Sequence, residues 1–434
     1  MMNIEKEAEL VPFSSAEAHN KVLQIGLFGF GVVGEGLYKI LQQTPSLNAN
    51  IRKVCIKNPH KKRNAPQELF TVERDELLND PGINVIVEVI DDSEAAFEIV
   101  STALKNGKAV VSASKKMIAE HLPEILQLQQ NTGLPFLCEA AACASIPIIR
   151  NLEEYYDNDL LHSIKAIVNG STNFILTKMF EEKLDFQQAL LLAQQLGFAE
   201  SNPTLDVEGY DAVNKWTILL THAYGIVEHP ANIVFNGIQN IQGSDAVVAR
   251  EKHYEIKLVG QAKKLIGGKV AAFVLPQFIK QDDHLAFVKN EYNGVVIESG
   301  FADKQFFYGK GAGSFPTASA VLSDISALRY EYRYEYKKLY HHKPNELTNE
   351  FFVKVYLSFD DLKYIPKEKF EWIEEWHSDA DRKYLIGVIA FGELSKGNWW
   401  RENNTSLILT PEPIIEDIEI RKLKKKSLEL AGVI

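Results

Sequence analysis

The sequence is poor in cysteine, with Cys55, Cys138 and Cys143 the three among 434 residues. Three thiols cannot all pair, show no metal-ligand spacing and lie in apolar surroundings, so a disulfide- or zinc-stapled scaffold is excluded and a reducing compartment is expected. Long apolar runs are missing too. No stretch reaches the ~18 residues of a membrane span, and the opening MMNIEKEAELVPFSSAEAHN carries acids and no apolar run of signal-peptide length. We therefore expect a cytoplasmic chain without membrane spans. A basic excess is also absent. Lys and Arg number 47 against 58 Asp and Glu, a formal charge of -11 that argues against nucleic acid as a partner. No internal repeat or low-complexity tract breaks the chain.

What is present is an average globular composition, 46% hydrophobic and 24% charged, in a chain long enough for about three domains at roughly 150 residues each. From Val22 to Gly31 a short apolar run ends in glycines and leads into VVGEGLYKILQQ, whose apolar residues recur at helical spacing. Further runs at Val54–Ile56, Val85–Ile90, Ala109–Val111 and Pro135–Leu137 alternate with helical patterns. Such alternation predicts an α/β fold, a Rossmann-type doubly wound parallel sheet covered on both faces. After Pro147 the texture changes. Helical patterns at Asn173–Leu184, Phe186–Leu196 and Asp211–Tyr224 precede strand-like runs at Val270–Leu275, Leu285–Val288 and Gly294–Ser299, which predicts a separate α+β domain. The resulting division is an N-terminal extension (1–20), a dinucleotide-binding domain (21–150, completed by about 309–340), a substrate-binding and dimerisation domain (151–308) and a C-terminal region (345–434).

Gly29, Gly31 and Gly34 form G-x-G-x-x-G between the first strand and its helix. There the first glycine permits a tight turn, the second admits a pyrophosphate, and the third lets helix and strand pack closely. Gly29, Phe30, Gly31, Val32, Val33 and Gly34 are accordingly candidate cofactor-binding residues, the helix N-terminus supplying free N–H groups. An NAD site usually places an acid about 20 residues on. Here the second strand reads RKVCIKNPHKKR with no acid at its end, and Lys57 is placed to neutralise a 2′-phosphate. NADP(H) is the expected cofactor, with NAD(H) the alternative.

The stretch from Ala193 to Leu220, AQQLGFAESNPTLDVEGYDAVNKWTILL, crowds Glu200, Asp206, Glu208, Asp211 and Lys215 beside Gly and Pro punctuation. On spacing alone Asp211 and Lys215 are an i, i+4 surface pair, stabilising by about 0.3–0.5 kcal/mol. The whole stretch, however, is similar motif for motif to the signature of homoserine dehydrogenases. Ala193, Gly197, Phe198, Ala199, Asn202-Pro203, Asp206-Val207, Gly209, Asp211 and Lys215 fall in register. Segments resembling that family recur in order at 29–34, 110–119 (VVSASKKMIA), 139–149 (EAAACASIPII), 167–176 (IVNGSTNFIL) and 309–321 (GKGAGSFPTASAV), spanning roughly residues 22–335.

The resemblance implies NAD(P)H-dependent reduction of L-aspartate 4-semialdehyde to L-homoserine, in the branch leading to threonine, methionine and isoleucine. It implies Lys215 as proton donor, Asp211 fixing it and contacting substrate, and Lys115 near the nicotinamide and the reacting carbonyl. Glu200 and Asp206 would hold the substrate ammonium, with Asn169 and Thr172 as further substrate-binding groups; a helix N-cap at Thr172 or Asn173 is the alternative use of that segment. Gly309 and Gly311 would touch the cofactor. A monovalent cation, sodium in the family, would take Glu139 and the main-chain carbonyls of Ala142, Ala144 and Ile146. Association through the substrate domain implies a homodimer or homotetramer.

Several positions depart from the family pattern. Asp91 and Asp92 stand where glycines are usual, which should disfavour an anionic dinucleotide unless they point away. Ala144 and Ser145 replace two glycines, Ser114 an asparagine and Lys310 a proline. In the C-terminal region FFVKVYLSF, RKYLIGVIAFGEL and TSLILTP read as strands and KEKFEWIEEWHSD as a short helix, a diverged small α+β module of ACT type. The basic tail IRKLKKKSLELAGVI reads as a solvated helix. The extension is too short for a fused aspartate kinase, which predicts a monofunctional enzyme. The competing expectation is a catalytically silent paralogue that binds nucleotide or amino acid as a regulatory subunit.

Overall fold

The run Leu23–Phe28 (β1) is apolar almost throughout because it is the middle of a parallel sheet covered on both faces. In the computed structural model, which describes residues 22–420 except 159, 341–344, 381, 402–404 and 417, the chain continues as α1 (Val32–Gln43), β2 (Ala49–Cys55), β3 (Phe70–Thr71), α2 (Asp75–Leu78), β4 (Val85–Glu88), α3 (Ser93–Lys105), β5 (Ala109–Ser112), α4 (Lys115–Thr132) and β6 (Phe136–Leu137). The N-terminal extension and the basic tail past Ile420 lie outside the described residues. The six strands order as β3-β2-β1-β4-β5-β6, every pair parallel. Strand order reverses between β1 and β4, so the carboxyl ends of those two strands open a crevice.

The chain next forms α5 (Ala140–Cys143), α6 (Ile148–Glu154), β7 (Leu161–Ile167), α7 (Gly170–Glu181), α8 (Phe186–Gln195), α9 (Thr204–Val207), α10 (Tyr210–Tyr224), β8 (Val234–Phe235), α11 (Gly243–Glu251), β9 (Tyr254–Lys264), β10 (Val270–Lys280), β11 (Tyr292–Ser299) and β12 (Asp303–Lys310). Helix α12 (Ser314–Leu328) then returns to the first domain. A Cβ at Gly36 of α1 would sit 2.6 Å from Ser314 Oγ, so glycine there is what lets the two helices meet. Helix α10 lies on β9 by the same device, since a Cβ at Gly260 would strike the Trp216 ring at 2.5 Å.

After α13 (Lys337–Tyr340) come β13 (Phe352–Ser358), β14 (Phe370–Ser378), β15 (Lys383–Ala390), α14 (Phe391–Ser395) and β16 (Ser406–Ile415). These strands do not stand apart. They extend the substrate-domain sheet to ten strands in the order β12-β11-β7-β9-β10-β16-β13-β15-β14, with β8 also on β10. One apolar cluster joins Phe273 and Leu275 of β10 to Val353, Val355, Leu385 and Leu409. The four C-terminal strands are antiparallel to their neighbours in the order β14-β15-β13-β16, the sheet order of a βαββαβ unit. In place of its first helix stand 3-10 turns at Leu362–Tyr364 and Lys367–Lys369, and its second is the five-residue α14.

Two local expectations are corrected. The segment read as a short helix, KEKFEWIEEWHSD, is strand β14; register shifts after Phe370 and Ile373 displace its apolar residues to a three-residue spacing that imitates a helix. Leu285–Val288 is not a strand, because Asp283 Oδ1 accepts the Leu285 N–H at 2.9 Å and starts a 3-10 turn over His284–Phe287.

Candidate active site

The glycine turn shows the three uses of its residues directly. Gly29 has φ +98° and a Cβ there would meet the Val89 carbonyl at 2.8 Å; a Cβ on Gly34 would meet the Gly29 carbonyl at 2.3 Å; a Cβ on Gly31 would meet nothing within 4 Å, leaving the α1 N-terminus open. Across the crevice the loop 311–313 and the α12 N-terminus face it. Val32, Val33, Asp91, Lys115, Lys215 and Gly311 line this cavity of about 260 Å³. Phe30 does not line the cavity, its ring packing edge-on to Tyr38 and Phe70. Gly309 is spaced for contact with Ser145 Oγ, 2.9 Å from a Cβ there, and does not line the cavity.

Lys57 is exposed two residues beyond Cys55, whose carbonyl accepts the Gly29 N–H at 3.0 Å, so it stands beside the turn. Of the two unexpected acids, Asp92 turns to cap α3, accepting the Ala95 N–H at 3.0 Å. Asp91 remains exposed at the crevice rim. Lys310 points away, over the Tyr292 ring at 5.9 Å. Missed from the sequence is Glu88, fully buried at the β4 tip, which accepts from Ser112 Oγ (2.6 Å), Ser114 Oγ (2.8 Å) and the Ile90 N–H (2.7 Å). Burial pushes its carboxyl above the ordinary value. A lone acid at the end of an apolar strand, NVIVEVI, was the available signal.

On the opposite wall Asp211 is buried in the first turn of α10 and is the hub of a polar cluster. Its Oδ1 lies 2.9 Å from Lys115 Nζ and its Oδ2 2.8 Å from Lys215 Nζ. Asn169 Nδ2 donates to Asp211 Oδ2 (2.8 Å) and Asp206 Oδ1 (2.7 Å). Lys215 also donates to the Val168 carbonyl at 2.8 Å. Burial opposes ionisation of Asp211, yet the two ammonium groups hold its carboxyl well below the carboxylate range. The same carboxylate raises Lys115, while burial and the Asp211 charge raise Asp206. The pair that spacing alone would make a surface bridge is therefore an interior one.

Asn169 is the N-cap of α7, its Oδ1 accepting the Thr172 N–H at 2.8 Å. The cap, the alternative use of this segment, thus falls on Asn169 and not on Thr172 or Asn173. Thr172 is buried with its hydroxyl turned back on Asn169 at 3.0–3.1 Å, and Asn173 spans to the carbonyls of Val288, Asn290 and Tyr292. Glu200 is exposed, and its hydrogen bond is through the main-chain carbonyl, from Gln194 Nε2 at 2.9 Å. The structure brings together Lys115, Asn169, Asp206, Asp211 and Lys215 and leaves Glu200 outside.

Two of the four expected cation donors, Glu139 and the Ile146 carbonyl, have hydrogen-bond partners within the chain. Glu139 accepts the main-chain N–H of Ile149 (2.8 Å) and Arg150 (3.0 Å), and Arg150 Nε lies 3.7 Å from Glu139 Oε2. The Ile146 carbonyl accepts the Ile148 N–H at 2.8 Å, and Ala144 sits at φ +45°. Charge and hydrogen bonds for Glu139 thus come from within the chain, so Arg150 and two main-chain N–H groups already supply what a cation would supply to this carboxylate.

Comparison with known proteins accords with this geometry. Residues 29–139 match the family model "Homoserine dehydrogenase, NAD binding domain" and 147–326 the model "Homoserine dehydrogenase". The homoserine dehydrogenase of Bacillus subtilis is 37% identical over 317 residues, covering 71% of this chain and 73% of that one. The chain belongs to the homoserine dehydrogenase family. Its members are NAD(P)-dependent oxidoreductases, and that of Helicobacter pylori is also 37% identical, over 312 residues. The crystal structure of a homoserine dehydrogenase from Thiobacillus denitrificans superposes with a TM-score of 0.77 at 27% identity, covering 90% of this chain and 98% of that one, so the likeness in fold runs past residue 326. A hyperthermophilic archaeal homoserine dehydrogenase in complex with NADPH superposes at 0.62 and 27% identity, covering 72% of this chain and 99% of that one. No helix among the described residues is long and apolar enough to cross a membrane, and the three cysteines are free and buried.

Proposed function

We propose that this family member interconverts L-aspartate 4-semialdehyde and L-homoserine with NADP(H) preferred over NAD(H), Lys215 being the proton donor. The observation that carries the reading is one buried carboxylate, Asp211, held between two lysines at the mouth of the crevice. The bound dinucleotide supplies or takes the hydride at its nicotinamide. In reduction the carbonyl π pair moves onto oxygen as the hydride bonds to carbon. Lys215 meets that charge. Two of its three protons are engaged by Asp211 and Val168, so the third is left for the substrate oxygen; the amine it leaves regains a proton from solvent.

Lys115, 44% exposed and anchored to Asp211 on one side, presents its remaining protons to the nicotinamide end of the crevice. Asp206, steadied by Asn169, accepts from the substrate ammonium, and the substrate carboxylate is drawn to the lysines. Glu200 joins the ammonium contact only if its loop closes on substrate. For the cofactor, the open N-terminus of α1 suits the diphosphate and Lys57 the 2′-phosphate. The chain works in the cytoplasm as a homodimer or homotetramer, with the exposed Ile266 and Phe301, on turns at one end of the large sheet, as a surface that assembly would cover. No step passes through a metal ion.

Absorbance at the nicotinamide band with L-homoserine and either NADP⁺ or NAD⁺ tests this. Reduction should be faster with NADP⁺ and should fall by about two to four orders of magnitude in Lys215→Ala with dinucleotide binding retained; near-native turnover in the variant would remove Lys215 from the donor role.

A further inference from the structure

Asn293 on β11 is fully buried, and neither its Nδ2 nor its Oδ1 has a hydrogen-bond partner in the protein. Such a group is costly to bury, which makes an unpaired amide an unusual choice for a packing role. Its position is specific. The ladder pairs Gly294 with Ile167, so Asn293 stands level with Val168, the residue whose carbonyl holds Lys215. On its other side the carboxamide presses on Gly311, where a Cβ would lie 2.1 Å from its carbonyl carbon. Gly311, Ala312 and Gly313 form the crevice wall opposite α1.

The two ends of this loop are tied and its middle is not. Upstream, the Lys310 carbonyl accepts from both the main-chain N–H and the hydroxyl of Ser145, at 3.2 and 3.0 Å. Downstream, Ser314 Oγ donates to the Val32 carbonyl at 2.7 Å, and the Gly313 carbonyl accepts the Thr317 N–H at 3.2 Å. Between these ties lie Gly311 and Ala312, next to Gly313 at φ +119°, and neither glycine has a side chain to resist a rotation of its peptide planes. The carboxamide has two N–H donors and an acceptor oxygen to offer, and main-chain carbonyl and N–H groups such as those of this loop are their complements.

We propose that Asn293 is a positioning residue for the dinucleotide: its carboxamide pairs with the main chain of residues 311–313 when the dinucleotide draws that loop toward α1. This rests on the reading that the loop seats the dinucleotide. The loop thereby has two positions, and the second is latched from behind by Asn293, in line with the carbonyl that holds Lys215. Cofactor binding and the setting of the proton donor then rest on two neighbouring strands, β11 and β7.

Thermal unfolding of the full chain with and without saturating NADPH, together with steady-state kinetics, tests the latch in Asn293→Ala. Because the amide is unpaired as the loop stands, the variant should unfold within about 1 °C of the native chain without NADPH, and should lose half or more of the NADPH-induced rise. The KM for dinucleotide should increase about tenfold while that for homoserine stays within about twofold. Asn293→Ser, which keeps a hydroxyl, should recover part of the dinucleotide affinity. An equal NADPH-induced rise in native and Asn293→Ala chains, or no recovery in Asn293→Ser, overturns the latch alone. No rise in the native chain overturns the seat itself, and the latch with it.

Discussion

The two walls of the crevice are built from opposite materials. The dinucleotide wall is main chain: glycines at 29, 31 and 34 admit a ligand by lacking side chains, and a Cβ at two of them would strike a carbonyl. The substrate wall is side chain: Lys115, Asp206, Asp211 and Lys215 meet through charged groups, with Asn169 between the acids. A wall of absent atoms tolerates nothing added, whereas a wall of charges tolerates nothing removed.

The contrast is broken most severely by Asp211→Asn, which leaves two lysines without the carboxylate between them. The rate constant kcat should fall by about two orders of magnitude or more, with dinucleotide affinity little changed, by steady-state and fluorescence titration. The pH dependence of stability should change with it. The Asp211 carboxyl is held below its ordinary value of 3.8, so its contribution is complete above that pH and is lost as the pH falls below it toward the folded-state value; in urea unfolding Asp211→Asn should lack that acid-side loss.

On the other wall, Gly34→Ala forces a Cβ to 2.3 Å from the Gly29 carbonyl, and the turn must open. Dinucleotide affinity should drop by about ten- to a hundredfold, with about 1–3 kcal/mol of stability, while the lysine–aspartate cluster is left intact. A variant that binds NADPH normally would mean that the diphosphate does not use this turn. Lys57→Ala sharpens the contrast, because here a charge serves the main-chain wall. It should weaken NADPH about tenfold and NADH hardly at all, and equal losses would contradict the 2′-phosphate assignment. The smallest effect is expected from replacing sodium by a large organic cation at constant ionic strength. Activity should change less than about twofold, since Arg150 and two main-chain N–H groups already serve Glu139; a strong sodium requirement would show that these contacts rearrange.

The same contrast explains what could be read from the sequence. Glycines at fixed spacing between an apolar run and a helix announce a main-chain site without reference to any other protein, and the doubly wound sheet follows from the alternation around it. The charged wall is different. Asp211 and Lys215 are a commonplace i, i+4 pair until Lys115, nearly a hundred residues earlier, arrives at 2.9 Å, and only the family signature singled them out. The Val168 carbonyl that accepts a hydrogen bond from Lys215 has no side-chain signature at all. Glu88 was overlooked because one acid in an apolar strand is a weak signal, and Asn169 was recognised as polar but not as the cap that also spans Asp206 and Asp211. In the C-terminal strands the period itself misled, since the register shifts in β14 turn alternation into a helical spacing.

The place of β16 in the large sheet has a consequence for the order in which the molecule is made. Ser406–Ile415, last in chain order among the described strands, is inserted between β10 and β13. Until it leaves the ribosome, the flank of β10 that it will cover, on an eleven-residue strand with all but its last residue buried in the finished protein, is open to other nascent chains. Completion of the sheet therefore waits on the synthesis of β16, rather than on that of the catalytic residues, and the interval between β10 and β16 is the one in which this protein is most prone to aggregate.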